Sequence, residues 1–193
     1  MNGYQRVTAA LAGRQPDTTP VMLHNFMMAA REAGVTMHQY RSDARQMARC
    51  HIEAVEKYGY DGMMIDVDTA TLAAAAGVPT EYPEDEPAVC RGVRLRSLEE
   101  VDDLAPVDLT SHEGVVMWLE CVRMLKRYFG DEVYVRGNCD QAGFSLACLM
   151  RGIEQWMMDI VDEDSLERVE RLLEYCTGVT LQFLRLMAET GCD

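Results

Sequence analysis

Apolar positions recur along this chain at helical spacing in long blocks, and short apolar runs ending in polar clusters separate the blocks. Residues 3–13 place Tyr4, Val7, Ala10 and Leu11 on one stripe ahead of Gly13, which predicts an amphipathic helix with a glycine stop. Pro20-Val21-Met22-Leu23 reads as a strand ending in His24-Asn25, and residues 26–34 as a short helix closed by Gly34. The next helix runs from Ser42 to Tyr58, with Ala44, Ala48, Ile52 and Val55 on its stripe, His51 among them as a core residue, and Gly59 as its C-cap. Residues 60–68 then read as a buried parallel strand whose end carries Asp66 and Asp68.

Beyond that strand, the alanine-rich residues 69–77 predict a helix. Residues 78–92, interrupted by Pro79, Pro83 and Pro87, predict a hairpin excursion with an acidic loop from Glu81 to Glu86. Three capping boxes are read next: Ser97 with Glu100, Thr110 with Glu113, and Asp164 with Glu167. The second opens a helix with the stripe Val115, Trp118, Leu119, Val122, Leu125 and Phe129, stopped by Gly130. A third strand, Val133 to Gly137, ends in Asn138-Cys139-Asp140, and two helical pieces follow, broken at Gly152. The third box starts a long helix through Leu166, Val169, Leu173, Cys176, Phe183 and Met187, with Gly178 as a bend and Gly191 as its end.

Strands alternating with crossovers of this length predict an α/β fold with parallel strands, either an open sheet or the start of a barrel. Residues 190–193 resemble residues 58–61 before the second strand, so a fourth strand is expected to begin where the sequence ends. The expected organisation is one domain over 1–193, with 1–19 a helix and lead-in and 20–193 three βα units. In such folds ligands sit at the carboxyl ends of the strands. A strand places Asp66 and Asp68 on one face, about 6 to 7 Å apart, where they orient a substrate or simply cap and hydrate a loop. His24 reads as a general base, a metal ligand, a hydrogen-bond donor or a histidine satisfied by backbone. Asn25, Asn138, Cys139 and Asp140 complete the rim as substrate-binding candidates.

Composition narrows the classes. A formal charge of -14 argues against a nucleic-acid or anionic-membrane surface. Seven cysteines without paired spacing argue against a disulfide framework, and no apolar run of about 18 residues is present, so a soluble, cytoplasmic protein is expected. Fourteen methionines fit either adaptable core filling or a pliable pocket.

The opening helix with its Pro20-Val21 entry, the block from Asp61 to Gly77, the capped Ser97 helix and the block from Gly137 to Gly152 together resemble the uroporphyrinogen decarboxylase superfamily, which includes the corrinoid methyltransferases. The resemblance implies the amino-terminal part of a (β/α)8 TIM barrel, about three βα units behind an extra helix. In the decarboxylases an M-R-Q-A-G-R motif binds substrate carboxylates; its arginine positions fall here on Asn25 and Ala29. The acidic residue of the family's F-S-D motif, which contacts pyrrole nitrogens, falls on Asp68, and a substrate-facing tyrosine falls on Cys148. Buried carboxylates need charge-assisted donors, so loss of both arginines disfavours porphyrinogen decarboxylation.

The methyltransferase branch implies methyl transfer between a corrinoid protein and a small thiol or tetrahydrofolate acceptor. A zinc ion supplies the activation there, and its family ligands lie beyond this chain. No zinc-binding His-x-Cys pair is present; Cys139, Asp140 and His24 are the residues at the mouth with metal-ligating chemistry. Two alternatives remain open: a tetrapyrrole decarboxylase drawing arginines from Arg91, Arg94 and Arg96, and a non-catalytic half-barrel that binds a partner. If the chain ends at Asp193, uncovered strand edges predict a homo-oligomer.

Overall fold

The structure, a computed structural model, describes residues 1–65, 68–139 and 142–193. Its centre is a three-stranded parallel sheet in the order β1-β2-β5, formed by β1 (Met22–Leu23), β2 (Gly62–Met64) and β5 (Tyr134–Arg136). Met22 pairs with Gly62, and Gly62 with Tyr134, so the three strands run in one direction with their carboxyl ends together. A second, antiparallel pair, β3 (Thr80–Glu81) and β4 (Val89–Cys90), is the expected hairpin excursion.

Most of the chain is helical. In order these helices are α1 (Gly3–Leu11), α2 (Phe26–Glu32), α3 (Met37–Tyr40), α4 (Ala44–Tyr58), α5 (Thr71–Ala75), α6 (Glu113–Phe129), α7 (Gly143–Arg151), α8 (Ile153–Asp159) and α9 (Leu166–Ala188). All six stripe residues of α6 are buried, because a 3.6-residue period turns one face steadily toward the sheet. The α7 and α9 helices pack closely at Gly143, where a Cβ would stand 2.6 Å from Thr177 Oγ1. Among the described residues no helix is long and apolar enough to cross a membrane.

Several boundaries differ from expectation. Asp68 is not on a strand, since β2 ends at Met64. Its side chain instead accepts the N–H groups of Ala70 and Thr71 at 2.9 and 2.8 Å and starts α5, a local bond that competes with continuing the ladder. Asp66 lies outside the described residues. Thr110 is not the cap of α6: it gives its N–H and hydroxyl to Asp108 inside a 3-10 turn, and His112 caps α6 through Nδ1. Asp164 gives way in the same manner to Asp162, which accepts the Ser165 hydroxyl at 2.6 Å. Ser97 makes no side-chain cap, and its segment is a 3-10 turn in which Glu100 reaches back to the Arg96 N–H.

The α3 helix was not expected from periodicity. It is opened by a capping box in which Thr36 and Gln39 exchange side-chain and backbone bonds at 3.0 and 3.1 Å. It is held on α4 by the Tyr40 hydroxyl, 2.6 Å from His51 Nε2, with both residues fully buried. This dyad fixes the residue that follows Tyr40, Arg41, which matters for the site.

Candidate functional site

Above the carboxyl end of β2, the amino-terminal ends of α4 and α6, the α3 turn and the hairpin loop enclose a cleft of about 930 Å³. Asp68, Arg41, Tyr82 and His112 bring the chemistry to its wall. Asp68 is 4 % exposed. Its Oδ1 is fully engaged by the N–H groups of Ala70 and Thr71 and by the Thr71 hydroxyl at 3.0 Å, while Oδ2 is buried without a hydrogen-bond partner. One carboxylate therefore does two things: one oxygen builds the loop and the other stays open to accept.

Arg41 is 9 % exposed. Its Nη2 donates to the carbonyl of Pro83 and, at 2.9 Å, to that of Glu86, tying the acidic hairpin loop down over α3. Nε and Nη1 are buried without partners. Burial lowers the Arg41 pKa, and the charges of Asp68, Tyr82 and Glu84 act against that fall. The Tyr82 ring lies over the guanidinium, 5.6 Å from centroid to Cζ, and burial raises the tyrosine's pKa. His112 accepts the Val115 N–H at 3.4 Å through Nδ1, which leaves Nε2 to carry the proton of the neutral ring. Burial lowers its pKa, so the ring is neutral at pH 7 and Nε2–H is a donor.

The sequence-derived candidates divide on this geometry. Asp68 lines the cleft, whereas His24, Asn25, Asn138, Cys139 and Cys148 do not. His24 is exposed and lies tilted against Phe26, with ring centroids 5.4 Å apart. Asn25 donates to the Tyr60 hydroxyl at 3.3 Å, and its Oδ1 is buried without a partner. His24-Asn25 nevertheless follow β1 directly, and Asn138-Cys139 follow β5 after Gly137, so both pairs stand beyond the carboxyl ends of strands of one sheet. Half-buried Cys148 lies within α7, and burial raises its thiol pKa, as it does that of Cys139. Asp66 and Asp140 lie outside the described residues.

Arg91, Arg94 and Arg96 are exposed, and Arg91 pairs with Glu81 on the hairpin. They do not supply the cleft. Arg41, Tyr82 and His38 were the residues that the chain's periodicity did not reveal. One signal was present, since Thr36-Met37-His38-Gln39 matches the T-x-x-Q capping pattern that starts the helix delivering Arg41. Among the described residues no group of three His, Cys, Asp or Glu side chains is arranged to hold a metal ion, so the described residues do not fit a zinc centre.

Comparison with known proteins gives a consistent result. The family model described as uroporphyrinogen decarboxylase (URO-D) matches residues 2–193. A uroporphyrinogen decarboxylase of Mycolicibacterium gilvum is 26 % identical over 204 aligned residues, covering 96 % of this chain and 53 % of that protein. The methylcobamide:CoM methyltransferase MtbA of Methanosarcina acetivorans is 23 % identical over 195 residues, covering 98 % of this chain and 56 % of its own. The chain thus spans about half the length of the curated relatives it matches. Among solved structures, a methyltransferase from Methanosarcina mazei has the same fold, with a TM-score of 0.83 at 19 % identity over 100 % of this chain and 57 % of that one.

Proposed function

We propose, from the premise that this chain belongs to the uroporphyrinogen decarboxylase family, that it is the first part of a βα barrel whose mouth serves methyl transfer between a corrinoid protein and a small acceptor. The observation that carries this reading is the charge of the cleft wall. Arg41 is the arginine or lysine among the lining residues, and it stands against Asp43, Asp68, Glu113 and Glu120. A porphyrinogen carrying many carboxylates would meet more anions than cations there, and each buried, unpaired carboxylate costs several kcal/mol. The two positions where the resemblance places the decarboxylase arginines support the same choice. Asn25 is spent on Tyr60, and Ala29 is fully buried in the core.

A methylcorrinoid carrier bound at this mouth would supply the methyl group. This chain's residues act on the acceptor. Asp68 Oδ2 accepts a hydrogen bond or the proton of a thiol or amine, and His112 Nε2–H donates to an electronegative atom beside it.

Incubating the chain with methylcobalamin and the neutral thiol 3-mercapto-1-propanol, and following loss of the methylcobalamin spectrum, tests the reading. A parallel incubation with uroporphyrinogen is read by chromatography of the oxidised products. Thiol methylation without decarboxylation supports the proposal, and decarboxylation without methylation overturns it. The absence of both reactions would overturn catalysis by this chain alone.

A second reading, association through an apolar face, has a specific observation behind it. Ile153, Met158 and Val161 are 67 %, 64 % and 71 % exposed within one short stretch around α8. Sedimentation at micromolar concentration decides it: a monomer at all concentrations removes that reading.

A further inference from the structure

The two buried arginines of this protein are treated differently, and the difference points to a ligand. Arg151, 8 % exposed, donates to both carboxylate oxygens of Asp159, at 2.7 and 3.4 Å, and also to the Leu95 and Arg96 carbonyls. Its charge and its hydrogen-bonding capacity are both met within the fold. Arg41 is equally buried, but its bonds go to two carbonyls through Nη2 alone. Nε and Nη1 have no acceptor, and among the described residues no carboxylate stands within salt-bridge distance of it. A buried guanidinium left in that state is costly, because each unmet donor forfeits its water and charge-assisted bonds are the strong ones. Nε and Nη1 lie on different edges of the guanidinium, and the Nη2 between those edges is already committed to two carbonyls, so each unmet nitrogen offers a separate charge-assisted donor to an oxyanion.

We propose that Arg41 is the anion-recognition residue of the cleft, taking the carboxylate or sulfonate of a small acceptor whose other end reaches Asp68, with Tyr82 as the cover over the ion pair. This rests on the methyl-transfer reading only for the identity of the other end. Three features of the site fit one anion and no more. Among the described residues the cleft is lined by one guanidinium and by four carboxylates that repel further negative charge, and the hairpin loop that Arg41 tethers carries Glu84, Asp85 and Glu86. Tyr82 is 44 % exposed, so the cover lies at the surface and can swing from the guanidinium without disturbing the core.

The test compares two thiols of matched length, 3-mercaptopropionate and 3-mercapto-1-propanol, by calorimetric titration of the 193-residue chain. The wild type is expected to bind the anion about tenfold more tightly than the neutral thiol, the worth of a charge-assisted buried bond. Arg41→Gln should bring that ratio to about one, while Arg41→Lys, which keeps the charge, retains part of the preference. A merely structural arginine would weaken both thiols together or neither.

Absence of any anion preference in the wild type overturns the inference without recourse to a variant. So does a ratio that survives Arg41→Gln in protein of native circular dichroism. The two readings fail separately. Methylation of the neutral thiol without anion preference removes only the role of Arg41, and anion preference without methylation removes only the reaction.

Discussion

His51 is the residue whose environment makes the most quantitative prediction. It is fully buried on α4 and touches the Tyr40 hydroxyl, and burial, with a smaller contribution from the charge of His24, pushes its pKa down to about 4. In the unfolded chain the same ring titrates near 6.5. Above that value both states hold a neutral ring and His51 contributes no pH dependence. As pH falls from about 6.5 toward 4 the unfolded state binds a proton that the folded state refuses, so stability is lost across that window and the loss levels off below it. Between pH 7.5 and 4.5 this amounts to about 2.5 kcal/mol. Urea unfolding of the wild type and of His51→Gln, at half-unit intervals through this range, separates His51 from the carboxylates, which titrate in both proteins. The wild type is expected to lose about 2 kcal/mol more than the variant, most of it between pH 6 and 4.5. Parallel curves for the two proteins would refute the assignment of a buried neutral ring.

Other perturbations probe separate parts of the argument. Gly143→Val should destabilise the protein by about 2 kcal/mol or more in urea unfolding, since a Cβ at this position already meets Thr177 Oγ1 at 2.6 Å and its backbone nitrogen at 3.0 Å. Arg151→Met strands Asp159 and frees the Leu95 and Arg96 carbonyls, and should cost about 3 kcal/mol by the same measurement. Thr36→Ala removes the capping box of α3 and should cost about 1 kcal/mol, with a lower anion preference at the cleft if α3 loosens. Asp68→Asn keeps an oxygen to cap α5 and replaces the unpaired Oδ2 by a donor. Thiol methylation should therefore drop at least tenfold while the melting temperature moves by only a few degrees, and an unchanged rate would remove Asp68 from the chemistry.

The strands and the long helices could be read from the chain because burial imposes the period that reading detects. Val115 through Phe129 announce the buried side of α6, and Leu23, Met63 and Val135 announce strands as short apolar runs between helices. Helix starts were less legible where two candidate caps lay close together. At residues 108–113 and 162–167 an upstream aspartate captured the local donors and moved the helix start past the residue that fitted the pattern. Asp68 could be named because a carboxylate shortly after an apolar run is a local feature. Arg41 could not, because what makes it unusual is non-local: its acceptors, the carbonyls of Pro83 and Glu86, lie 42 and 45 residues further along the chain. Asn25 and His24 were named for the right end of the sheet, yet the cleft opens between the helix ends above β2, a direction that no period in the sequence encodes.

The two ends of the sheet divide the work of the molecule. At the amino end, Asp61 gives its N–H to the Val21 carbonyl at 2.8 Å and takes the Val21 N–H on Oδ2 at 2.8 Å, while Arg6 of α1 holds Oδ1 at 2.9 Å. Asp193 repeats each contact one strand over: its N–H reaches the Val135 carbonyl at 2.9 Å, Oδ2 takes the Val135 N–H at 2.9 Å, and Lys126 of α6 holds Oδ1 at 2.7 Å. Each aspartate stands two residues after a glycine in the left-handed conformation, Gly59 at φ +64° and Gly191 at φ +79°. The same device therefore clamps a helix exit onto a neighbouring strand twice, with every charged oxygen satisfied. At the carboxyl end the rule is the opposite, and Asp68 Oδ2, Asn25 Oδ1 and two nitrogens of Arg41 are buried without partners. The fold thus satisfies these two carboxylates completely at one end of the sheet and leaves Asp68 Oδ2 and two Arg41 nitrogens unmet in the wall of the cleft.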